Sequence, residues 1–256
     1  MCAEPIKEFS HFIGVEEENV LKSIVNLGED FFLIHNLDIL FKNSLELEPL
    51  DDLNLKVPAF LYLIIHSEFY QGMAYFLRMH YSKSFVSLRI ALDCAFTAYY
   101  LKKYPDKTDV YLSKLSEKEN PEWNRIFRNI KKTIKDNIVN FPLAEGLPEI
   151  HEFCSIYSHS DAIGLLHRYR IADARLEATY FDYEPKIGDY NKWLAQLLGA
   201  FFRIYLVFWQ EIFMQKAGNK KGQIENSLKE YSLRLSDFIK KYPLGDVETK
   251  DQGQMK

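Results

Sequence analysis

Cysteine is scarce in this chain and never clustered. Cys2, Cys94 and Cys154 are odd in number, far apart, and form no CxxC. That pattern excludes a disulfide framework and reads as reduced thiols in a cytoplasmic protein. Glycine and proline are also few, 11 and 9 in 256 residues, which argues against a turn-rich sheet fold. Neither sign of charge is in large excess: 32 Lys and Arg stand against 36 Asp and Glu, a net charge of −4. This balance argues against a dedicated nucleic-acid binder, although net charge hides local patches. Long uninterrupted apolar runs are missing too. The best, "WLAQLLGAFFRIYLVFWQEIF" at 193–213, is broken by Arg203 after ten uncharged residues, and Gln210 and Glu211 follow. A spanning helix wants about 20 mostly apolar residues, so this stretch is expected to be a buried core helix, and no membrane partner is expected. The opening "MCAEPIKEFSHF" has an acid and no apolar h-region, so it does not read as a signal peptide.

What the chain does have is aromatic rings, 16 Tyr and 19 Phe among them, enough to bury a large apolar area. It also has long stretches of helical periodicity. Helices are expected at 15–27, 29–47, 58–81 (opened by Pro58), 82–104, 107–118, 121–140, 148–158, 188–218 (capped by Asp189 and stopped by Gly218) and 220–242. On 82–104 two stripes are legible. Phe85, Leu88, Leu92, Ala95 and Tyr99 form a large one, and Ser84, Ser87, Ala91, Cys94 and Ala98 a small one that admits a second helix closely. "RYRIADARLEATYFDYEP" loses the helical period, and a small hairpin or extended segment near 168–183, turning near Asp173, is expected there. The fold expected is therefore mostly α, a multi-helix bundle of about eight or nine helices, as one domain over 1–244 with a disordered polar tail over 245–256.

The stretch "CSIYSHSDAIGLLHRYR", 154–170, is the densest in polar chemistry. Ser158, His159 and Asp161 have the chemistry of a hydrolase triad, but they are nearly adjacent, whereas a triad joins side chains that converge. No GxSxG occurs. A helix C-terminus, with His159 meeting free carbonyls and Ser160 or Asp161 capping the next turn, fits better. His151, His159 and His167 recur every eight residues, which on a helix splays them by about 80°. With no HExxH and no Glu-x-x-His, no metal is expected, and with neither GxGxxG nor GxxxxGK, no cofactor.

Polar groups inside apolar helices are sharper clues. Arg89 and Asp93 sit four apart in "SLRIALDCAF", His66 and Glu68 follow "LYLII", and Arg203 lies in "GAFFRIYLVF". Buried charge needs a partner. Arg203 is thus expected to be buried and paired with Asp93, or failing that with Glu68. Arg125, Arg128, Lys132 and Lys135 recur at 3-4-3 spacing on 121–140, a stripe that reads as a solvated face before it reads as a phosphate contact.

"LRIALDCAFTAYYL" followed by "FCSIYSHSD" resembles a family of bacterial all-helical proteins that are similar in fold to the HEPN superfamily of helical ribonucleases and nucleotide-binding domains. The likeness spans about 55–217. It implies a helical fold and a bacterial origin. The HEPN nuclease motif, an Arg followed after four to six residues by a His, does not occur.

Three functional readings follow. The first is a cytoplasmic binding module that holds a small polar or anionic ligand, or a peptide, at Arg89, Asp93, Tyr157, His159 and Arg203. The second is a metal-independent HEPN-like ribonuclease or phosphodiesterase, with His159 as acid/base and Arg89 stabilising developing charge. The third is a non-catalytic homodimer that pairs through an aromatic helix such as 193–213.

Overall fold

The computed structural model describes residues 8–47, 53–116, 120–158, 169–172, 175–178, 180–182 and 187–242. Within them the chain is a helical bundle. Its helices are α1 (Phe9–Leu27), α2 (Phe32–Leu45), α3 (Leu53–Leu77), α4 (Tyr81–Lys103), α5 (Thr108–Leu112), α6 (Pro121–Phe127), α7 (Ile130–Asp136), α8 (Leu147–Ser158), α9 (Ile187–Phe208) and α10 (Lys221–Lys241). The extended interval reduces to two four-residue strands, Tyr169–Ala172 and Arg175–Ala178, paired antiparallel with Tyr169 opposite Ala178. Among the described residues they pair only with each other and add no β layer to the bundle. Asp173, His159 and the tail from 245 lie outside the described residues.

The centre of the bundle is α4, which is buried along two faces. Its small stripe receives α3: a Cβ placed on Gly72 would lie 3.5 Å from the Ser87 side chain and 3.6 Å from the Ser84 carbonyl, so the two helices touch nearly backbone to backbone. Its large stripe, Phe85, Leu88, Leu92, Ala95 and Tyr99, is buried in the common core with Phe201, Tyr205 and Phe208 of α9. Most of α9 is thus used inside the core. Among the large apolar side chains left exposed, Phe60, Leu63 and Ile64 lie close together on α3.

Buried polar groups tie the helices at specific points. Ser23 of α1 donates to the Leu77 carbonyl (2.8 Å), satisfying an end of α3 that its own helix leaves open. Ser44 and Tyr205 share a hydrogen bond of 2.9 Å between α2 and α9. Asp182 returns from the strand pair to cap α4: its carboxylate accepts from the Ser82 backbone N–H (2.7 Å) and hydroxyl (3.1 Å), while its own N–H donates to the Met79 carbonyl (2.9 Å).

Several helix bounds differ from the sequence reading. Pro58 is inside α3, which begins five residues earlier at Leu53. One missing N–H near a helix start is tolerated when the rest of the helix is buried. The helix over 121–140 breaks in two. Asn129 accepts from the Lys132 N–H (3.3 Å) and starts α7 afresh, as Asn120 starts α6 by accepting from Glu122 and Trp123. Asp189 is the third residue of α9, not its cap. The regular part of α9 ends at Phe208 in a π turn over Trp209–Phe213, well before Gly218. Gly218 takes a positive φ (47°) and turns the chain into α10.

Candidate ligand-binding site

α8 lies antiparallel against α4, because Phe153 meets Phe85 edge-on (5.3 Å) while His151 lies near Phe96. The seam between them holds the polar groups singled out in the sequence, with one substitution of partner. Asp93 pairs with His151, not with Arg203: His151 Nε2 is 3.0 Å from Asp93 Oδ1. The imidazole is buried and the carboxylate is half exposed. Arg89, half-buried one turn before Asp93, faces Cys154. Burial of that thiol outweighs the nearby guanidinium and pushes its pKa up to about 12. It is therefore a packing group rather than a nucleophile. Tyr157 is on α8, three residues after Cys154, and its side chain lies outside the described residues, as does all of His159.

Arg203 overturns its expectation. It is exposed, and its guanidinium donates to the Glu145 carbonyl at the turn into α8. Neither Asp93 nor Glu68 pairs with it. The reason is the helical period. Gln196, Gly199, Arg203 and Gln210 recur at 3-4-7 spacing, so α9 keeps a narrow polar and small stripe that the neighbouring rings conceal in the linear sequence. Gly146 sits directly beneath. It has φ 75°, and a Cβ there would come within 3.2 Å of a guanidinium nitrogen.

That stripe forms one wall of a cleft of about 660 Å³ between α4, α8, α9 and α10. Its apolar lining includes Phe85, Leu88, Phe153, Phe202, Leu235 and Ile239. The charges around it are unequal. Glu149 is paired with Lys135 (3.3 Å) and Lys240 with Asp237 (3.3 Å), whereas no carboxylate among the described residues pairs with Arg203. Gln196 contributes a buried side-chain carbonyl with no donor among the described residues. No imidazole or thiol is among the described residues that line the cleft. Its size and lining are those of small-molecule sites generally.

A second polar cluster ties α2 to α3. Asp38 receives Tyr70 (2.7 Å), His66 (2.9 Å) and Lys42 (2.7 Å). Phe41 stacks flat on the imidazole (5.2 Å, 5°). All of its partners are satisfied by each other, which marks it as a structural tie. Among the described residues, no three His, Cys, Asp or Glu side chains gather as a metal site, and no helix is long and apolar enough to cross a membrane.

Sequence reasoning missed His151 and the cleft. The signal for His151 was present: Leu147, His151 and Cys154 fall at 4-3 spacing, and all three are buried. The cleft had no such signal, since its lining comes from four separate helices. No protein-family model matches this chain, and no curated protein or solved structure matches it.

Proposed function

We propose that this protein is a binding module that holds a small anionic molecule with an apolar body in the cleft between α4, α8, α9 and α10. The observation that carries the reading is the cleft itself, apolar along its floor and faced by one guanidinium without a counter-charge. Of the residues first read from sequence as a binding cluster, Arg203 lines this cleft, whereas Arg89 follows the lining residue Leu88 on α4 without being a lining residue itself. The free thiols of Cys94 and Cys154 fit a reducing, cytoplasmic setting.

Titration with 8-anilinonaphthalene-1-sulfonate, a ring system bearing one sulfonate, tests the reading. Saturable fluorescence at one site, weakened in Leu88→Arg and in Gly199→Trp at retained helicity, is the expected result. Binding indifferent to both substitutions places the probe elsewhere and removes the reading.

The ribonuclease alternative depends on His159, and nothing among the described residues adds to it. The basic face of α6 and α7 is broken between the two helices, and its Lys135 is occupied by Glu149 and Glu152. Self-association has a specific surface in the outer face of α3, where Phe60 is 62% exposed beside Leu63 and Ile64. Equilibrium sedimentation of the wild type and Phe60→Glu decides that reading.

A further inference from the structure

We infer that the occupant of the cleft is a single-chain amphiphilic carboxylate, its head on Arg203 and its chain running toward Gln196. This rests on the cleft being a binding site, and adds the chemistry of what fills it. The argument is one of where polar partners are placed. Most of the lining is carbon, from Phe85, Leu88, Phe153, Phe202, Leu235 and Ile239, and on α9 only Gly199, Ala200 and Phe202 line it between Gln196 and Arg203. A polar group midway along a ligand would be stripped of water there without a partner, and that is costly. A mainly hydrocarbon body fits that lining best.

The ends differ. Arg203 spends one donor on the Glu145 carbonyl. A guanidinium has five donors in a planar fork, which leaves enough to take both oxygens of a carboxylate. The neighbouring cation, Lys240, is already matched by Asp237 on the same helix, so the unspent charge is at the Arg203 end. A carboxylate there is favoured over a hydroxyl of the same length and over a cation.

Gln196 and Arg203 are seven residues apart on α9, about 10 Å of helix rise. That is the reach of a chain of medium length. Gln196 adds a further term. Its buried carbonyl lacks a donor among the described residues, so a hydroxyl at the far end of the chain supplies what a plain alkyl end does not. Ser232 and Ser236 line the same cleft from α10 and add hydroxyls to its wall.

The experiment is calorimetric titration of the full chain with decanoate, decan-1-ol, decyltrimethylammonium and 10-hydroxydecanoate, each below its micellar concentration. Decanoate is expected to bind on the order of tenfold more tightly than decan-1-ol, the scale of one charge-assisted hydrogen-bonded contact. The ammonium should bind most weakly. Arg203→Gln is expected to bring decanoate and decan-1-ol to the same affinity, while Arg203→Lys keeps part of the difference. 10-Hydroxydecanoate should exceed decanoate in the wild type and lose that margin in Gln196→Leu. Equal binding of decanoate and decan-1-ol by the wild type overturns the carboxylate assignment and leaves an apolar cleft standing. Absence of binding by all four, together with loss of the anilinonaphthalenesulfonate signal, overturns the cleft reading as well.

Discussion

Gly146 and Arg203 are joined more tightly than their separation in sequence implies. Gly146 holds a left-handed φ of 75°, and the guanidinium lies where its Cβ would need room. A left-handed conformation costs an L-residue roughly 1–2 kcal/mol. Gly146→Ala is therefore expected to lower stability by at least about that amount in urea unfolding, and by less in an Arg203→Ala background, where the contact term is gone. Strict additivity of the two substitutions would show that the guanidinium does not rest on the glycine. The cysteines give a second residue-scale prediction. Burial pushes both Cys94 and Cys154 up to about 12. At pH 8 the thiolate fraction is then on the order of one in ten thousand. In a Cys2→Ser variant, Ellman's reagent should release almost no thiolate from the native protein and two equivalents after unfolding. Rapid native labelling would mean that the α4/α8 seam opens. The Asp93–His151 pair is asymmetric, with the acid 48% exposed and the imidazole 6%. Asp93→Asn should cost under about 1 kcal/mol because the freed carboxylate site is half in water, whereas His151→Ala leaves a hole against Phe96 and should cost about 2 kcal/mol or more.

At the scale of elements, helices are fixed to one another by a few polar ties set in aromatic packing. The tie between α2 and α3 makes stability depend on pH. Burial pushes the Asp38 carboxyl up, but hydrogen bonds from Lys42, Tyr70 and His66 outweigh it and hold the group below its ordinary value. A carboxyl with a depressed folded pKa releases its proton more readily folded than unfolded. Its contribution is present above the unfolded value of about 3.9 and is lost as pH falls through the folded one. Asp38→Asn is thus expected to lower stability at neutral pH and to flatten the loss of stability below about pH 4. Parallel acid limbs for variant and wild type would remove Asp38 from the account. The α6/α7 break is a second element-scale feature. Asn129 caps α7 with its side chain, and Asn129→Ala should cost about 1 kcal/mol, while Asn129→Asp should restore most of it. A neutral alanine variant would mean that the break is made by packing of Phe127 and Ile130 and not by the cap.

For the molecule as a whole, the basic side chains of α6 and α7 sit on the surface and do little for the fold. Arg125, Arg128, Lys132 and Lys135 are all exposed. Replacing the four with Gln should leave cooperative unfolding intact, each exposed charge being worth under about 1 kcal/mol. A collapse of cooperativity would show that their pairing with Glu122, Glu149 and Glu152 holds α6 and α7 in place. The sequence by itself determined the helical bundle, since periodic burial is written residue by residue. The two stripes of α4 follow from spacing and residue type, whereas the break at Asn129 was not read from them. The same period also held the exposed stripe of α9, but eight neighbouring apolar residues masked it, and Arg203 was read by its neighbours rather than by its angle. Only the tertiary structure decided which partners meet. Asp93 has an imidazole from α8 because antiparallel packing sets residue 93 against 151, and the cleft is lined by residues from four separate helices, with Gly199 and Ala195 among them. Periodicity fixes which face of a helix is buried. The register between helices, and so the identity of each contact, is set by how all the faces pack at once.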